Sequence, residues 1–587
     1  MSLGDSGRER TPFDNGSMNT RVGFRRRIAA AAALICAAAM MLAGCASTSD
    51  NANGSSGNGT SSTANGGTTQ TFKPASGSNG DIRIASGSEN KEVATAIQHA
   101  ADASGVTVTV DYMGSLDIMN VLETGAKNYD AVWPASSMWI SMGDTKHLVK
   151  DAQSTSTTPI VFGIARKKAI QLGWADESGK TTPVSTADVL AKVQSGDLKF
   201  SMTSATQSNS GASAYLAFMT ALRGGTGPIT EADLSDNALT SSVAQLLKGV
   251  DRSSGSSDWL KDMVVASPDR FDSMVNYESL VIQANKSLEK NGHDPLLAVY
   301  PSDGIAVSDS PLGYVDRGQG ADKRKAYDAF AKALRAKDAK IEFERAGRRT
   351  GLGGALTYAS DSEVKRAFRS EWGINTDAST LKTIPLPAAK TITKALDVYQ
   401  TALRKPSWTV WVVDYSGSMS GDGKNGVVKG LNAALDPAQA ALTHIQPASH
   451  DVNILIPFES LPHDPVRADG ASTGSLLNTA QVTEADGGTD IYAGLESAYK
   501  ELPDASQRND YTTAIVLMTD GRSQVDNRDA AIAQYEDEQL DVPIFSIMFG
   551  DADSAQLDPL AKMSNAKVFD GRTGDLATVF RTVKGFN

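Results

Sequence analysis

An alternation of strand-length and helix-length segments restricts this chain more than any other feature. From Asp81 the order is IRIAS (82–86), the helical stretch KEVATAIQHAADAS, then VTVTVDY (106–112), AVW (131–133), PIVFGIA (159–165) and KFSMTS (199–204), with longer helical segments between. Short β-branched runs separated by helices predict an α/β fold built on mainly parallel strands. The pattern runs to about Trp372. It resumes in shorter form after Lys405-Pro406, with strands expected at 408–413, 452–458, 513–519, 542–549 and near 567–569, and helices at 425–435, 490–501, 528–539 and 575–584. That second set predicts a doubly wound sheet. The chain has 587 residues, too many for one core, which stops growing near ~250–300 residues. Two domains are therefore expected, 81–387 and 407–587. Residues 388–406, AAKTITKALDVYQTALR followed by Lys405-Pro406, should be a connecting helix packed on the first domain.

The N-terminus carries a different signal. Arg25, Arg26 and Arg27 precede an apolar run from Ile28 to Ala43, the pattern of a positively charged n-region and an h-region. The run ends in Leu42-Ala43-Gly44-Cys45, which resembles the lipobox of bacterial lipoproteins. That resemblance implies a signal peptide over residues 1–44 and acylation of Cys45. The alternative is a short membrane anchor with a buried cysteine. Both readings place the bulk of the chain outside the cytoplasm, on a membrane. Residues 1–17 look like neither targeting nor fold, which leaves Met18 as an alternative start. Residues 45–80 are rich in Ser, Gly, Thr and Asn and have almost nothing apolar, so a disordered tether is expected.

Composition excludes several function classes. Two cysteines and six histidines cannot supply a zinc cluster or a disulfide framework. A formal charge of −12 argues against nucleic acid as the main partner. Removing residues 1–44, which hold more Arg than acid, makes the remainder more acidic still.

Three segments of the second domain carry its chemistry. Strand 408–413 runs into Asp414-Tyr415-Ser416-Gly417-Ser418, Gly487-Gly488-Thr489-Asp490 opens a helix, and VLMTDGRS sets Asp520 at the end of another strand. In a parallel sheet these ends share the carboxyl edge, where ligands bind. Three hydroxyls and two carboxylates, with no His or Cys, suit Mg²⁺ or Mn²⁺. Taken singly, each segment is equally a turn or a helix cap. Together and in this order, DxSxS, GGTD and TDG resemble the von Willebrand factor A (VWA) domain with its metal-ion-dependent adhesion site. The resemblance implies that Ser416, Ser418 and Thr489 ligate the metal through hydroxyls. It also implies that Asp414 and Asp520 act largely through metal-bound water, and that a partner protein supplies a carboxylate or another oxygen. Asp490 is read as a helix cap.

The first domain places polar, glycine-bearing loops at strand ends: Ser86-Gly87-Ser88-Glu89-Asn90, Met113-Gly114-Ser115, Ala135-Ser136-Ser137 and TSATQSNSG (203–211). The order of segments resembles the type II periplasmic binding-protein fold, with lobe crossings near 157–166 and 297–315. The resemblance implies a cleft, with Ser86, Ser88, Asn90, Ser115, Ser136, Ser137, Thr206, Ser208, Asn209, Ser210 and Gly211 as candidate ligand-binding residues. None of these loops holds Lys or Arg, which favours a small neutral or singly charged solute unless Arg348 and Arg349 reach in. Glu278, in NYESLVI, is a candidate to face a ligand amine or cation, or else a surface acid at a helix start.

Three function classes follow. One is a lipid-anchored binding and adhesion protein that uses the metal site for protein–protein interaction. Another is the solute-binding component of a membrane transport system. The third, a metal-dependent hydrolase, is opposed by the absence of GxxxxGK[ST], HExxH, or GxSxG in a strand–turn–helix setting. No catalytic residue is assigned.

Overall fold

The computed structural model describes residues 60–62, 68–523, 527–572 and 576–585. The expected signal peptide, Cys45 and most of the expected tether lie outside the described residues. Residues 57–587 form one compact unit, and three mixed α/β sheets organise it.

The first domain holds two of the sheets. One contains β1 (Thr60–Ser62), β2 (Thr68–Phe72), β3 (Asp81–Gly87), β4 (Thr107–Met113), β5 (Ala131–Trp133) and β6 (Val149–Ser154). The second contains β7 (Thr158–Ala165), β8 (Phe200–Thr203), β9 (Val250–Ser254), β10 (Ser273–Tyr277), β11 (Leu296–Val299) and β12 (Val307–Ser308). The chain then returns to the first sheet with β13 (Pro311–Val315), giving the order β1-β2-β4-β3-β5-β13-β6. These are two lobes.

The chain passes between lobes at 155–157 and 309–310, so the segments expected to cross are mostly lobe strands. Trp133 pins the two crossings together, donating from Nε1 to Thr155 Oγ1 and to the Ser310 carbonyl, both at 3.1 Å. A third crossing was not foreseen. After helix Lys337–Arg345 the backbone of Arg349 bridges Thr157, and the chain goes on to the second lobe.

The tether boundary at residue 80 needs correction. Thr68–Phe72 adds antiparallel to β4, with Phe72 opposite Val108 and fully buried in the first lobe's core. A strand with one apolar anchor among threonines leaves no hydrophobic run for a sequence reading to catch.

The connecting helix forms as Ala389–Val398 and continues as a π-helical turn, Tyr399–Leu403. Ile392, Ala395, Leu396, Tyr399 and Leu403 enter the second lobe's core, and Tyr215 donates to the Ala395 carbonyl at 3.0 Å. Apolar residues at helical spacing produce this buried stripe.

The second domain contains β14 (Ser407–Asp414), β15 (Val452–Phe458), β16 (Val466–Asp469), β17 (Thr512–Thr519), β18 (Ile544–Met548) and β19 (Val568–Asp570). Their order is β16-β15-β14-β17-β18-β19, parallel except for the β15–β16 pair. All eight residues of β14 are buried, as a central strand covered on both faces requires. The chain leaves β14 toward β15 and later returns to its other side as β17. The switch point is therefore at the carboxyl ends of β14 and β17.

The domains share a polar seam. Asp541 accepts from Arg252 at 3.1 Å and pairs with Arg270 at 2.8 Å, Ser267 donates to Asn565 Oδ1 at 2.6 Å, and Trp259 packs on Phe545. Arg404, at the end of the connector, pairs with the fully buried Asp451 beside β15.

Candidate functional site

At the switch point the polypeptide brings its three motifs together. Asp414 ends β14. Its Oδ1 accepts from the Ser416 amide at 2.8 Å, and its Oδ2 accepts from Thr519 Oγ1 at 2.6 Å. Ser416 and Ser418 hydroxyls lie 3.1 Å apart, and Ser418 donates to Asp520 Oδ1 at 2.9 Å. The Gly417 amide donates to the Gly487 carbonyl at 3.1 Å, and the Asp486 amide to the Tyr415 carbonyl at 3.0 Å, so the DYSGS and GGT loops are laced together. Thr489 Oγ1 lies beside this group. A Cβ added to Gly521 would sit 3.2 Å from it and 3.8 Å from Ser418 Oγ, which is why the residue after Asp520 is small. All five expected metal residues therefore converge. Asp490 is not among them: its carboxylate accepts from the Tyr492 and Ala493 amides at 3.1 Å and caps helix Ile491–Lys500.

The electrostatics of this edge are one-sided. Asp414 is fully buried and Asp520 is 8% exposed, while Ser418 faces solvent. Among the described residues no ion pair includes either aspartate. Burial raises the Asp414 carboxyl, against hydrogen bonds from Thr519 and Ser416. Burial also raises Asp520, and the Asp414 charge adds to it. Two sequestered carboxylates answered only by hydroxyls and amides make a site that a cation would relieve. Among the described residues no three His, Cys, Asp or Glu side chains gather as a metal cluster. Any ion here would rely on the three hydroxyls, a donor set of hard oxygens that fits Mg²⁺ or Mn²⁺ and not zinc.

The first domain distributes its candidates differently. Ser88, Ser115 and Ser208 line a cavity of about 370 Å³ between the lobes. Ser86, Asn90, Ser136, Thr206, Asn209 and Ser210 are buried in the protein. Asn90 donates to Ser86 Oγ at 3.0 Å and to the Trp133 carbonyl, and Ser136 caps helix Ser137–Gly143 through the Met138 amide. The Ser137 amide is taken by Asp309 at 2.8 Å. Thr206 bonds Ser204 at 3.1 Å, and Ser210 bonds both Thr203 and Ser257. Asn209 is saturated by Tyr277, Ser308 and Trp139, at 3.0, 2.7 and 2.8 Å. Gly211 is required by packing, since an added Cβ would meet the Thr203 carbonyl oxygen at 2.1 Å.

Glu278 opens helix Glu278–Lys290, as one reading expected, but it is neither a surface acid nor a ligand-facing one. It is fully buried and faces neither ligand nor solvent. Arg349 clamps it from Nε at 2.7 Å and Nη2 at 2.6 Å, and Tyr300 donates to its Oε1. Arg349 is consumed by this pair, and Arg348 donates to the Glu89 carbonyl at 2.9 Å. The sequence reading also missed residues that do line the cavity, among them Gln207, Ser256 and Trp259. SSGSSDW (253–259), after β9, has the Ser/Gly composition of the other four loops and was a legible signal.

Residues 82–349 match the family model described as bacterial extracellular solute-binding protein, and residues 410–581 match the von Willebrand factor type A domain. The chain thus joins a solute-binding domain to a VWA domain. Among solved structures, an ABC-transporter substrate-binding protein from Agrobacterium tumefaciens aligns at 13% identity and TM-score 0.40, over 55% of this chain and 93% of that one. A solute-binding protein from Thermotoga lettingae, bound with α-D-tagatose, aligns at 11% identity and TM-score 0.41, over 55% and 94%. A von Willebrand factor type A protein from Catenulispora acidiphila aligns at 19% identity and TM-score 0.26, over 32% and 43%. No curated protein matches the sequence.

Proposed function

We propose that this chain is a lipid-anchored extracytoplasmic binding protein whose VWA domain captures a partner protein through a divalent metal ion. The observation that carries the reading is the pair of buried aspartates, Asp414 and Asp520, ringed by hydroxyls and without a cationic side chain among the described residues. Ser416, Ser418 and Thr489 would hold Mg²⁺ or Mn²⁺, and the two aspartates would orient those hydroxyls and neutralise the ion at one remove. The bound ion would supply a site for an anionic oxygen. With no carboxylate ligating it directly, it keeps more of its field for a partner's carboxylate. Catalysis is not part of the proposal, because the motifs hold no His, Cys or Lys to act as general base. Cys45 would fix the chain to the membrane, and two or three acyl chains make such anchoring nearly permanent. The solute-binding domain would take a small polar solute between its lobes.

Native capture from the cell surface, with and without chelator, tests the reading. Partners should leave with the metal, and Thr489→Ala should act like chelation. Capture indifferent to both would place the recognition surface elsewhere.

A further inference from the structure

The cavity between the lobes has a wall that neither lobe supplies. Glu89 and Asp117 of the first lobe and Ser256 and Trp259 of the second line it, and so do Phe569 and Arg581 of the VWA domain. The VWA domain reaches it with its last helix, Leu576–Gly585, whose end abuts the cleft loop: a Cβ on Gly585 would lie 2.3 Å from Gln207 Cγ.

Most carboxylates around this cavity are answered by a nearby charge. Asp258 and Asp262 pair with Lys261 at 2.9 and 3.1 Å. Burial raises the Asp117 carboxyl, and the Arg581 charge opposes that rise. The lysines on the wall are engaged with rings, Lys91 over Tyr112 and Lys567 over Phe569. Glu89 differs in its hydrogen bonding. It is 4% exposed, and its Oε1 is buried without a hydrogen-bond partner. Its carboxylate folds back over Gly87, where an added Cβ would be 2.1 Å from Oε1, so the glycine makes room for it. Burial raises the Glu89 carboxyl, and the charges of Arg348 and Lys91 oppose that rise, but Arg348 donates to the Glu89 backbone carbonyl and no described ion pair includes Glu89. A buried carboxylate oxygen without a hydrogen-bond donor costs free energy and calls for a partner.

We propose that this cavity is a two-domain site for a small organic ammonium ion, received by Glu89 and roofed by the VWA domain. The inference rests on reading the first domain as a solute binder, and it names the chemical class of the solute. A primary ammonium offers three donors and a charge, the complement of an unpartnered carboxylate. Trp259 on the same wall suits the methylenes of an aliphatic amine. Because the VWA domain closes the cavity, the bound solute would touch both domains.

The test uses the full chain and 1,4-diaminobutane, with 1,4-butanediol as its neutral counterpart and a panel of monosaccharides alongside. Calorimetry should show binding of the diamine and none of the diol, and Glu89→Gln should weaken the diamine at least 100-fold. That variant is isosteric and removes a buried charge, so its thermal midpoint should be equal or higher, which separates lost binding from lost fold. Hydrogen exchange at 576–585 should slow on diamine binding. Protection confined to the lobes would overturn the two-domain site. Equal affinity in Glu89→Gln would overturn the role of Glu89. Binding of a monosaccharide without the diamine would overturn the ammonium class while leaving the solute-binding reading intact. No binding by any of these probes would overturn the inference and weaken that reading with it.

Discussion

Two sets of buried carboxylates in this chain obey the same electrostatics with opposite results. In the first domain Glu278 is fully buried and fully answered, by a two-pronged guanidinium from Arg349 and a phenol from Tyr300. In the VWA domain Asp414 and Asp520 are nearly as buried, yet only hydroxyls and amides reach them. A sequestered charge costs several kcal/mol unless paired. The first arrangement meets that cost from within the fold and so is structural. The second leaves it to something brought from outside, which is the physical content of calling it a metal site.

The comparison breaks most visibly at Arg349. Arg349→Ala strands Glu278 without a cation and should cost about 3–5 kcal/mol, read by urea unfolding. A loss below about 1 kcal/mol would mean that water reaches Glu278 and that the pair is not structural. Next in size is Gly211→Ala. Its methyl group would collide with the Thr203 carbonyl, and overpacking of this kind costs about 1–3 kcal/mol. An unchanged midpoint would show that helix Asn209–Arg223 slides to make room.

The pH dependence should have opposite signs for answered and unanswered acids. Burial alone would raise Asp451, but the charges of Arg404 and Lys584 override it and hold the carboxyl down to about 2. Its folded value lies below the unfolded one, so its stabilisation is present above the unfolded pKa and is lost as pH falls toward 2. Asp414 and Asp520 are raised, so the metal-free fold binds protons more tightly than the unfolded chain. Their contribution to folding is fully present below the unfolded carboxylate pKa and is lost as pH rises through the raised values. Thermal midpoints with chelator should therefore gain less than those with Mg²⁺ as pH rises from the ordinary carboxylate range through the raised values. Parallel profiles would contradict the assignment. The smallest effect belongs to Asp490. Asp490→Ala removes a helix cap worth ~1 kcal/mol and should leave metal affinity unchanged, whereas Thr489→Ala should remove affinity and keep stability. If the two neighbours behave alike, the division between ligand and cap is wrong.

How much of this was legible in the sequence depends on the range of the interactions. DYSGS, GGTD and TDG declare themselves because each is short, and strand-end chemistry places them on one edge whatever the helices between them do. The alternation that defines both α/β domains is equally local. Glu278 was misread because its partner, Arg349, reaches it through a third lobe crossing that no periodicity announces. The strand Thr68–Phe72 hid in a Ser/Thr-rich stretch because only Phe72 is strongly apolar. The cleft hydroxyls were visible as a class, but their orientation was not. Ser210 and Asn209 face inward and bond neighbours far along the chain, whereas Ser88 lines the cavity.

Calorimetric titration of the metal-free full chain with Mg²⁺, beside the Asp414→Ala variant, tests the central claim most directly. The account predicts one site in the natural sequence and none in the variant, with circular dichroism unchanged between them. Undiminished binding in Asp414→Ala, or no binding in either chain, would contradict it.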